Sequence, residues 1–210
     1  VWIRRNIPEP PAWLSETSRR KPLFDSLRPL TKPPLAGRVI SATALTTSLL
    51  FAYWGLITWL PQYLARPVEK GGAEMTILKS SAWLVPMQIG AFAGYTTFGF
   101  FADRLGRRLT FVLFVLGAAI IVPIYGLNGS NQAVLMVIGP LVGFFGHGYF
   151  SVFGALLSEL FPSGVRATAQ GLCYNLGRGL SALAPPAVGW LADRSGLGGA
   201  LAMTSVLYLL

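Results

Sequence analysis

The sequence contains few charged residues and few of the residue types that form catalytic or metal centres. Asp, Glu, Lys and Arg make up 12% of its 210 residues, whereas soluble domains carry about 25%. Its single cysteine, Cys173, rules out an internal disulfide and a cysteine-based zinc site. No nucleophile elbow or phosphate-binding glycine loop is present. We therefore predict that the chain is neither an enzyme nor a soluble globular domain, and that it needs no metal or cofactor.

Apolar residues are abundant and occur in long uncharged runs. They make up 53% of the sequence, and one run, 109–158, has 50 residues without a charge. About 20 helical residues cross a hydrocarbon core about 30 Å thick, so the longest run holds two spans, divided by the polar turn 128–132. The expected fold is an all-α membrane bundle with six spans, the last one truncated. The spans are about 39–64, 81–101, 109–127, 133–157, 167–191 and 198–210.

Positive charge is concentrated between the predicted spans. A net charge of +9 would indicate nucleic acid binding in a soluble protein. Here twelve of the 17 Lys and Arg residues lie in 1–38 and in the loops after spans two and four, and four lie in the opposite loops. Lys and Arg favour the cytoplasmic side, so both ends of this segment are predicted to be cytoplasmic, with no nucleic acid partner. The basic, proline-rich stretch 1–38 is predicted to be a cytoplasmic linker.

The turn between spans two and three carries the pattern G-x-x-x-D-R-x-G-R-R. Its residues are Gly99, Asp103, Arg104, Gly106, Arg107 and Arg108. The pattern resembles the signature loop of the major facilitator superfamily, which lies between the second and third helices of each six-helix half. A later loop, ELFPSGVR, contains Glu159 and Arg166 and resembles the family's loop after the tenth helix. The resemblance implies a cytoplasmic gating network of charge pairs; the alternative is a set of ordinary surface charges at helix ends.

The resemblance covers essentially all of residues 4–210 and implies a transporter. The opening RRNIPEPPAWL resembles the segment that leaves the family's sixth helix, which would make this chain the C-terminal half of a twelve-helix protein. The segment YNLGRG, residues 174–179, resembles the eleventh helix of bacterial organic-acid/proton symporters of the sialate and aromatic-acid groups. The implied function is proton-coupled symport of a small organic acid or sugar acid, by alternating access, in the bacterial inner membrane. The alternatives are a neutral sugar or drug transporter of the same fold, and a non-transporting membrane scaffold or sensor.

The expected partners follow from that interpretation. They are membrane lipids, a small and anionic substrate, and the N-terminal six-helix half. The predicted spans contain no Asp or Glu, whereas proton-coupled symport needs an acid or its equivalent in the bilayer. The resemblance therefore implies that the coupling acid lies in the N-terminal half.

Arg178 is the strongest candidate for substrate binding. It lies about 16 Å along the helix of span five, close to the middle of the membrane, where a charged residue costs at least about 2.5 kcal/mol. Its side chain is therefore expected to face a cavity or a partner. A guanidinium offers paired donors to a carboxylate, which favours an anion site; the alternative is an arginine satisfied by backbone carbonyls or by an acid elsewhere. Tyr174 and Asn175 precede it by four and three residues, on the same helix face.

Four further polar or aromatic residues in the spans are candidates for the same site. Trp54 and Thr58 belong to a stripe on one face of span one, and Gln88 lies in span two. Each of them either lines the pathway or packs against a neighbouring helix. His147, in span four, is either a proton relay or a packed side chain, and it has no second ligand nearby for a metal.

A short motif is repeated within the chain. Ala102-Asp103-Arg104-x-Gly106 recurs as Ala192-Asp193-Arg194-x-Gly196, after spans two and five. Inverted three-helix repeats would place equivalent positions there, on opposite faces of the membrane. The alternative is a chance match of a few residues.

Overall fold

A computed structural model of the chain describes residues 23–209, and all regular secondary structure within this range is helical. The all-α prediction is therefore confirmed for that part of the chain. Eight α-helices lie between these limits, and three short 3-10 segments accompany them at Arg28–Thr31, Val68–Lys70 and Ser205–Leu209. The α-helices are α1 Leu23–Leu27, α2 Leu35–Ala65, α3 Ile77–Leu105, α4 Arg107–Leu127, α5 Gln132–Gly148, α6 Phe150–Glu159, α7 Arg166–Ser181 and α8 Ala184–Thr204. Most of the predicted linker, residues 1–22, lies outside the described range.

Three segments of residues 23–209 are long and apolar enough to cross a membrane. They are Leu35–Ala65, Arg107–Leu127 and Gln132–Glu159, the last of which combines α5 and α6. The number of six spans stays a prediction.

Two of the predicted spans contain breaks that their hydropathy does not show. Span four corresponds to α5 and α6, which meet at Tyr149. Span five corresponds to α7 and the start of α8, with Ala182 and Leu183 between them. Pro185 and Pro186 follow that break in the first turn of α8. Proline is tolerated in the first turn of a helix but disrupts a helix interior, so the pair favours a new helix start over a continuation of α7.

Local polar side chains fix two helix starts. Thr76 precedes α3, and its hydroxyl accepts a hydrogen bond from the Lys79 amide at 3.3 Å. Asn131 precedes α5, and its Oδ1 accepts from the Val134 amide at 3.1 Å. Each cap satisfies an amide that has no acceptor within its helix. The polar turn 128–132 that divides the longest apolar run therefore also starts the next helix.

Glycines allow α3 and α5 to pack with their backbones in contact. A Cβ atom at Gly90 would overlap the carbonyl of Pro140, and one at Gly143 would overlap the carbonyl of Met87. Interfaces between membrane helices are commonly built from such small residues, because close approach increases van der Waals contact. This backbone contact with α5 positions α3, and α3 in turn positions the turn at Gly106.

The described helices also fix which turns share an end of the bundle. The Gly198 amide donates to the Gly71 carbonyl at 3.0 Å, so the turn at Gly196 lies beside the loop between α2 and α3. Gly106 lies at the other end of α3. The two copies of the repeated motif therefore lie at opposite ends of the bundle.

Candidate functional site

The largest group of candidate side chains lines one cavity, which we call the Arg178 cavity. It has a volume of about 530 Å³ and lies between α2, α3, α6 and α7. Its lining is mostly aromatic and aliphatic, with few polar groups. The lining residues are Leu50, Tyr53, Trp54, Tyr95, Phe150, Phe153, Gly154, Leu157, Gln170, Tyr174 and Arg178. Small-molecule sites have about this size and this balance of apolar walls and a few polar groups.

The polar side of the Arg178 cavity comes from α7. Gln170, Tyr174 and Arg178 are four residues apart, which places them in one row along the helix. The Arg178 side chain is exposed, and no residue in 23–209 accepts a hydrogen bond or an ion pair from its guanidinium. Its donors therefore remain available to a group that enters the cavity.

The aromatic side of the Arg178 cavity is centred on Tyr53. The Tyr53 ring contacts three rings edge-to-face: Trp54 with the ring centroids 5.4 Å apart, Phe150 at 5.2 Å and His147 at 5.0 Å. Edge-to-face contacts at these distances are favourable and hold the Tyr53 ring in place. His147 is buried behind Tyr53, so it supports the aromatic wall and does not line the cavity.

The structure brings together three of the seven side chains predicted to bind substrate. Trp54, Tyr174 and Arg178 share the Arg178 cavity. Asn175 is exposed beside it, and its amide Nδ2 donates to the Gly171 carbonyl of its own helix at 2.8 Å. The remaining three do not line this cavity: Thr58 and Gln88 are exposed elsewhere, and His147 is buried. The role of all seven in binding stays a prediction.

Eight of the eleven lining residues were not predicted from the sequence, and three of these eight carry polar side-chain groups: Gln170, Tyr53 and Tyr95. Gln170 has a clear signal, because it precedes Tyr174 by the same four residues that separate Tyr174 from Arg178. Tyr53 adjoins the predicted Trp54. Tyr95 has no signal within its own helix, because only the packing of α3 brings it to the cavity.

The turn with the G-x-x-x-D-R-x-G-R-R pattern, residues 99–108, has a backbone that requires glycine. Gly106 lies between α3 and α4 with φ 85° and ψ 147°, a region that only glycine adopts readily. Its amide donates to the Ala102 carbonyl at 3.0 Å. The Arg104 guanidinium lies over the Phe100 ring, 3.7 Å from the ring centroid. Asp103, Arg108 and Gly99 are exposed.

One ion pair joins this turn to the loop at Glu159. The Arg107 guanidinium pairs with the Glu159 carboxylate, both side chains being more than half exposed. Arg166 pairs with no acid in residues 23–209, and its Nε donates to the Phe161 carbonyl at 3.2 Å. The two loops that resemble the family pattern are therefore in direct contact through Arg107 and Glu159, while the gating role of these residues stays a prediction.

Comparison with known proteins identifies the family. Residues 80–210 match the family model of the Major Facilitator Superfamily. The chain belongs to this family. The match contains the turn at 99–108, the Glu159 loop and the α7 side of the Arg178 cavity, so the resemblance first seen in short motifs holds over most of the chain.

Three relatives illustrate the range of this similarity. The chain is 30% identical to a putative metabolite transport protein of Haemophilus influenzae, over 100% of this chain and 52% of that protein. It is 31% identical to a probable 4-methylmuconolactone transporter of Cupriavidus pinatubonensis, over 96% of this chain and 45% of the relative. It is also 31% identical to a cis,cis-muconate transport protein of Acinetobacter baylyi, over 91% of this chain and 46% of that protein.

These matches have two consequences. The chain spans about half the length of the curated relatives that it matches. All three relatives are named as transport proteins or transporters, in agreement with the prediction that this chain is not an enzyme.

Proposed function

We propose that this protein transports a small organic acid across the bacterial inner membrane, and that the Arg178 guanidinium binds the carboxylate of the substrate. The observation that carries the proposal is the placement of Arg178 in a largely apolar cavity, with no partner in residues 23–209. An arginine in a membrane interior is costly, and a bound carboxylate would offset that cost through paired, charge-assisted hydrogen bonds.

The walls of the Arg178 cavity favour a planar, unsaturated acid over a sugar acid. Tyr53, Trp54, Tyr95 and Tyr174 present ring surfaces to the cavity, and a conjugated substrate would stack on such rings. A sugar acid needs partners for many hydroxyl groups, and besides Arg178 the side chains of this lining offer one amide, Gln170, the indole N–H of Trp54 and three tyrosine hydroxyls. The lining alone carries this preference, because the relatives are named both for muconate and 4-methylmuconolactone and for the sugar acids sialic acid and D-galactonate.

Transport would proceed by alternating access, coupled to protons. In this scheme the substrate binds near the middle of the membrane, between this bundle and a second six-helix half, and rocking of the halves exposes it to each side in turn. Arg107 and Glu159, paired in this structure, would belong to the contacts that change during rocking. We place the proton-coupling acid in the second six-helix half, because helices α2 to α8 contribute no acid to the lining of the Arg178 cavity.

A binding experiment tests the substrate and the role of Arg178 together. The purified protein would be titrated with cis,cis-muconate, with an aromatic carboxylate, with a sugar acid, and with the neutral methyl ester of the preferred acid. We expect the conjugated acids to bind best and the ester to bind weakly. Arg178→Gln should weaken binding of the preferred acid by about 10–100-fold, the value of one hydrogen-bonded charge.

Arg194→Gln is the matched control, because it removes the same charge at a position outside the Arg178 cavity. Equal losses in the two variants would contradict a specific role for Arg178. Tight binding of the neutral ester without binding of the acids would contradict an anion site and support a neutral sugar or drug transporter. Normal uptake by the Arg178→Gln variant in vesicles would support a non-transporting role for this cavity.

Cysteine labelling tests the proposed orientation. Ser163, in the loop after α6, and Glu69, in the loop between α2 and α3, are both exposed, whereas the native Cys173 is buried. In intact cells, an impermeant thiol reagent should label Glu69→Cys but not Ser163→Cys. Labelling of Ser163→Cys should appear only after the membrane is made permeable. The reverse pattern would overturn the assignment of the cytoplasmic side.

A further inference from the structure

A second cavity lies beside the turn at 99–108, and we call it the Arg108 cavity. It has a volume of about 440 Å³ and lies between α2, α4 and α6. It shares no lining residue with the Arg178 cavity. Its lining combines five apolar side chains with three charged ones: Leu45, Phe111, Val112, Leu156, Leu160, Arg107, Arg108 and Glu159.

The charged rim of the Arg108 cavity carries an excess of positive charge. Glu159 is already paired with Arg107. Arg108 is exposed at the rim, and no residue in 23–209 accepts a hydrogen bond or an ion pair from its guanidinium. The rim therefore holds one free guanidinium, which suits an anionic group and above all a phosphate, whose geometry matches the paired donors of arginine.

The apolar wall of the Arg108 cavity continues along the outside of α4. Val112 lines the cavity and is also part of a row of exposed apolar side chains on one face of the helix. The row consists of Leu109, Val112, Leu113, Leu116 and Ile120. In a protein of the major facilitator superfamily, such an apolar row on a helix long enough to cross the membrane is a surface for lipid chains. The cavity thus joins a cationic rim to a hydrocarbon-facing surface.

We propose that the Arg108 cavity binds an acidic phospholipid, with the phosphate at the Arg108 guanidinium and one acyl chain along Val112 and the row below it. The position suits such a ligand, because α4 begins at Arg107, directly after the turn that separates two apolar helices. Basic pockets at the ends of membrane helices attract anionic headgroups. A small, water-soluble anion would leave the five apolar side chains of the wall unused.

Native mass spectrometry of the purified full-length protein tests this proposal. The protein would be titrated with phosphatidylglycerol and with phosphatidylcholine, and the fraction with one bound lipid would be measured. We expect phosphatidylglycerol to bind more tightly, and Arg108→Gln to weaken its binding by about fivefold, as for one basic residue near an anionic lipid. Arg104→Gln is the matched control: it removes the same charge at the same end of the bundle, but Arg104 stacks on Phe100 and lies outside the cavity.

The outcomes separate a lipid site from the other sources of the effect. Equal losses in Arg108→Gln and Arg104→Gln would overturn the proposal, because they would indicate general attraction by surface charge. Displacement of the lipid by glycerol phosphate, at concentrations similar to that of the lipid, would also overturn the proposal. It would mean that the cavity binds the headgroup and gains nothing from the acyl chain. As a measurement on the unaltered protein, phosphatidylglycerol with a photoreactive acyl chain should label α4 near Val112 or α6 near Leu156. Labelling confined to other helices would contradict the proposed position.

Discussion

The two copies of the repeated motif have the same local structure at opposite ends of the bundle. The two segments align at an offset of 90 residues, 99–106 with 189–196. They share a glycine at each end, an aromatic residue at the second position and Ala-Asp-Arg at the fourth to sixth positions. Gly196 has φ 73° and ψ 160°, close to the 85° and 147° of Gly106. The Arg194 guanidinium lies 3.7 Å from the Trp190 ring centroid, the same distance that separates Arg104 from Phe100. The agreement in geometry supports a real repeat over a chance match.

The residues that follow the two turns differ in their surroundings. After Gly106, Arg107 and Arg108 are exposed, and Arg107 pairs with Glu159. After Gly196, Leu197 is fully buried, and Gly198 packs against the backbone of Gly71 and of Gly126. The comparison shows that eight residues suffice to shape the turn. The next two residues and their packing decide whether exposed charges follow it, as at Gly106 (the open turn), or buried apolar contacts, as at Gly196 (the closed turn).

Alanine substitutions two residues after each turn glycine, at Gly198 and at Arg108, should differ most in their effect on the free energy of unfolding. A Cβ atom at Gly198 would overlap the Gly126 carbonyl and contact that of Gly71, so Gly198→Ala should lower the free energy of unfolding by about 3 kcal/mol. The equivalent substitution Arg108→Ala removes an exposed side chain and should change it by less than about 0.5 kcal/mol. Unfolding of the purified protein in detergent measures both. Similar losses in the two variants would show that the ends are packed alike.

Alanine substitutions at the two turn glycines should lower the free energy of unfolding equally, because the backbone strain that they introduce is local. Gly106→Ala and Gly196→Ala each place a side chain in a backbone conformation that favours glycine, at a cost of about 1–3 kcal/mol. Gly171→Ala is the control: Gly171 lies within α7 with open space at its Cβ and no positive φ, so alanine there should not destabilise the protein. Two turn variants as stable as the control would mean that the turns relax without penalty.

The arginines that stack on aromatic rings should contribute less to the free energy of unfolding than the turn glycines do. Arg104→Gln and Arg194→Gln each remove a cation from the face of an aromatic ring, and each should cost about 0.5–1 kcal/mol. Double-mutant cycles with Phe100→Leu and Trp190→Leu isolate the ring contact from the loss of charge. A coupling energy near zero in both cycles would show that the stacking does not stabilise the turns.

The ion pair at the open turn should have the smallest effect. Glu159→Gln removes the carboxylate that pairs with Arg107, but both side chains are more than half exposed, so the expected loss is about 0.2–1 kcal/mol and should shrink at high salt. At the closed turn, Asp193 pairs with no base in residues 23–209. Asp193→Asn should therefore cause no salt-dependent loss in the free energy of unfolding. A salt-dependent loss of equal size in Asp193→Asn would abolish this distinction.

The candidate site was predicted to different degrees in its different parts. Tyr174 and Arg178 could be paired from sequence because they occupy one face of one helix, where spacing alone determines which side chains are neighbours. The same rule applies to Gln170 but was not extended to it. Tyr95 and the pairing of Arg107 with Glu159 depend on contacts between residues far apart in the chain, and no local pattern carries that information.

The sequence by itself determined the helical class, the family and the shape of both repeated turns, because apolar run length, short motifs and glycine conformation act over a few neighbouring residues. Only the tertiary structure decided that α2, α3, α6 and α7 enclose Arg178 among aromatic rings, and that the residues after one turn are exposed while those after the other are buried. Those features arise from helix packing, in which the same local segment meets different neighbours at each end of the bundle.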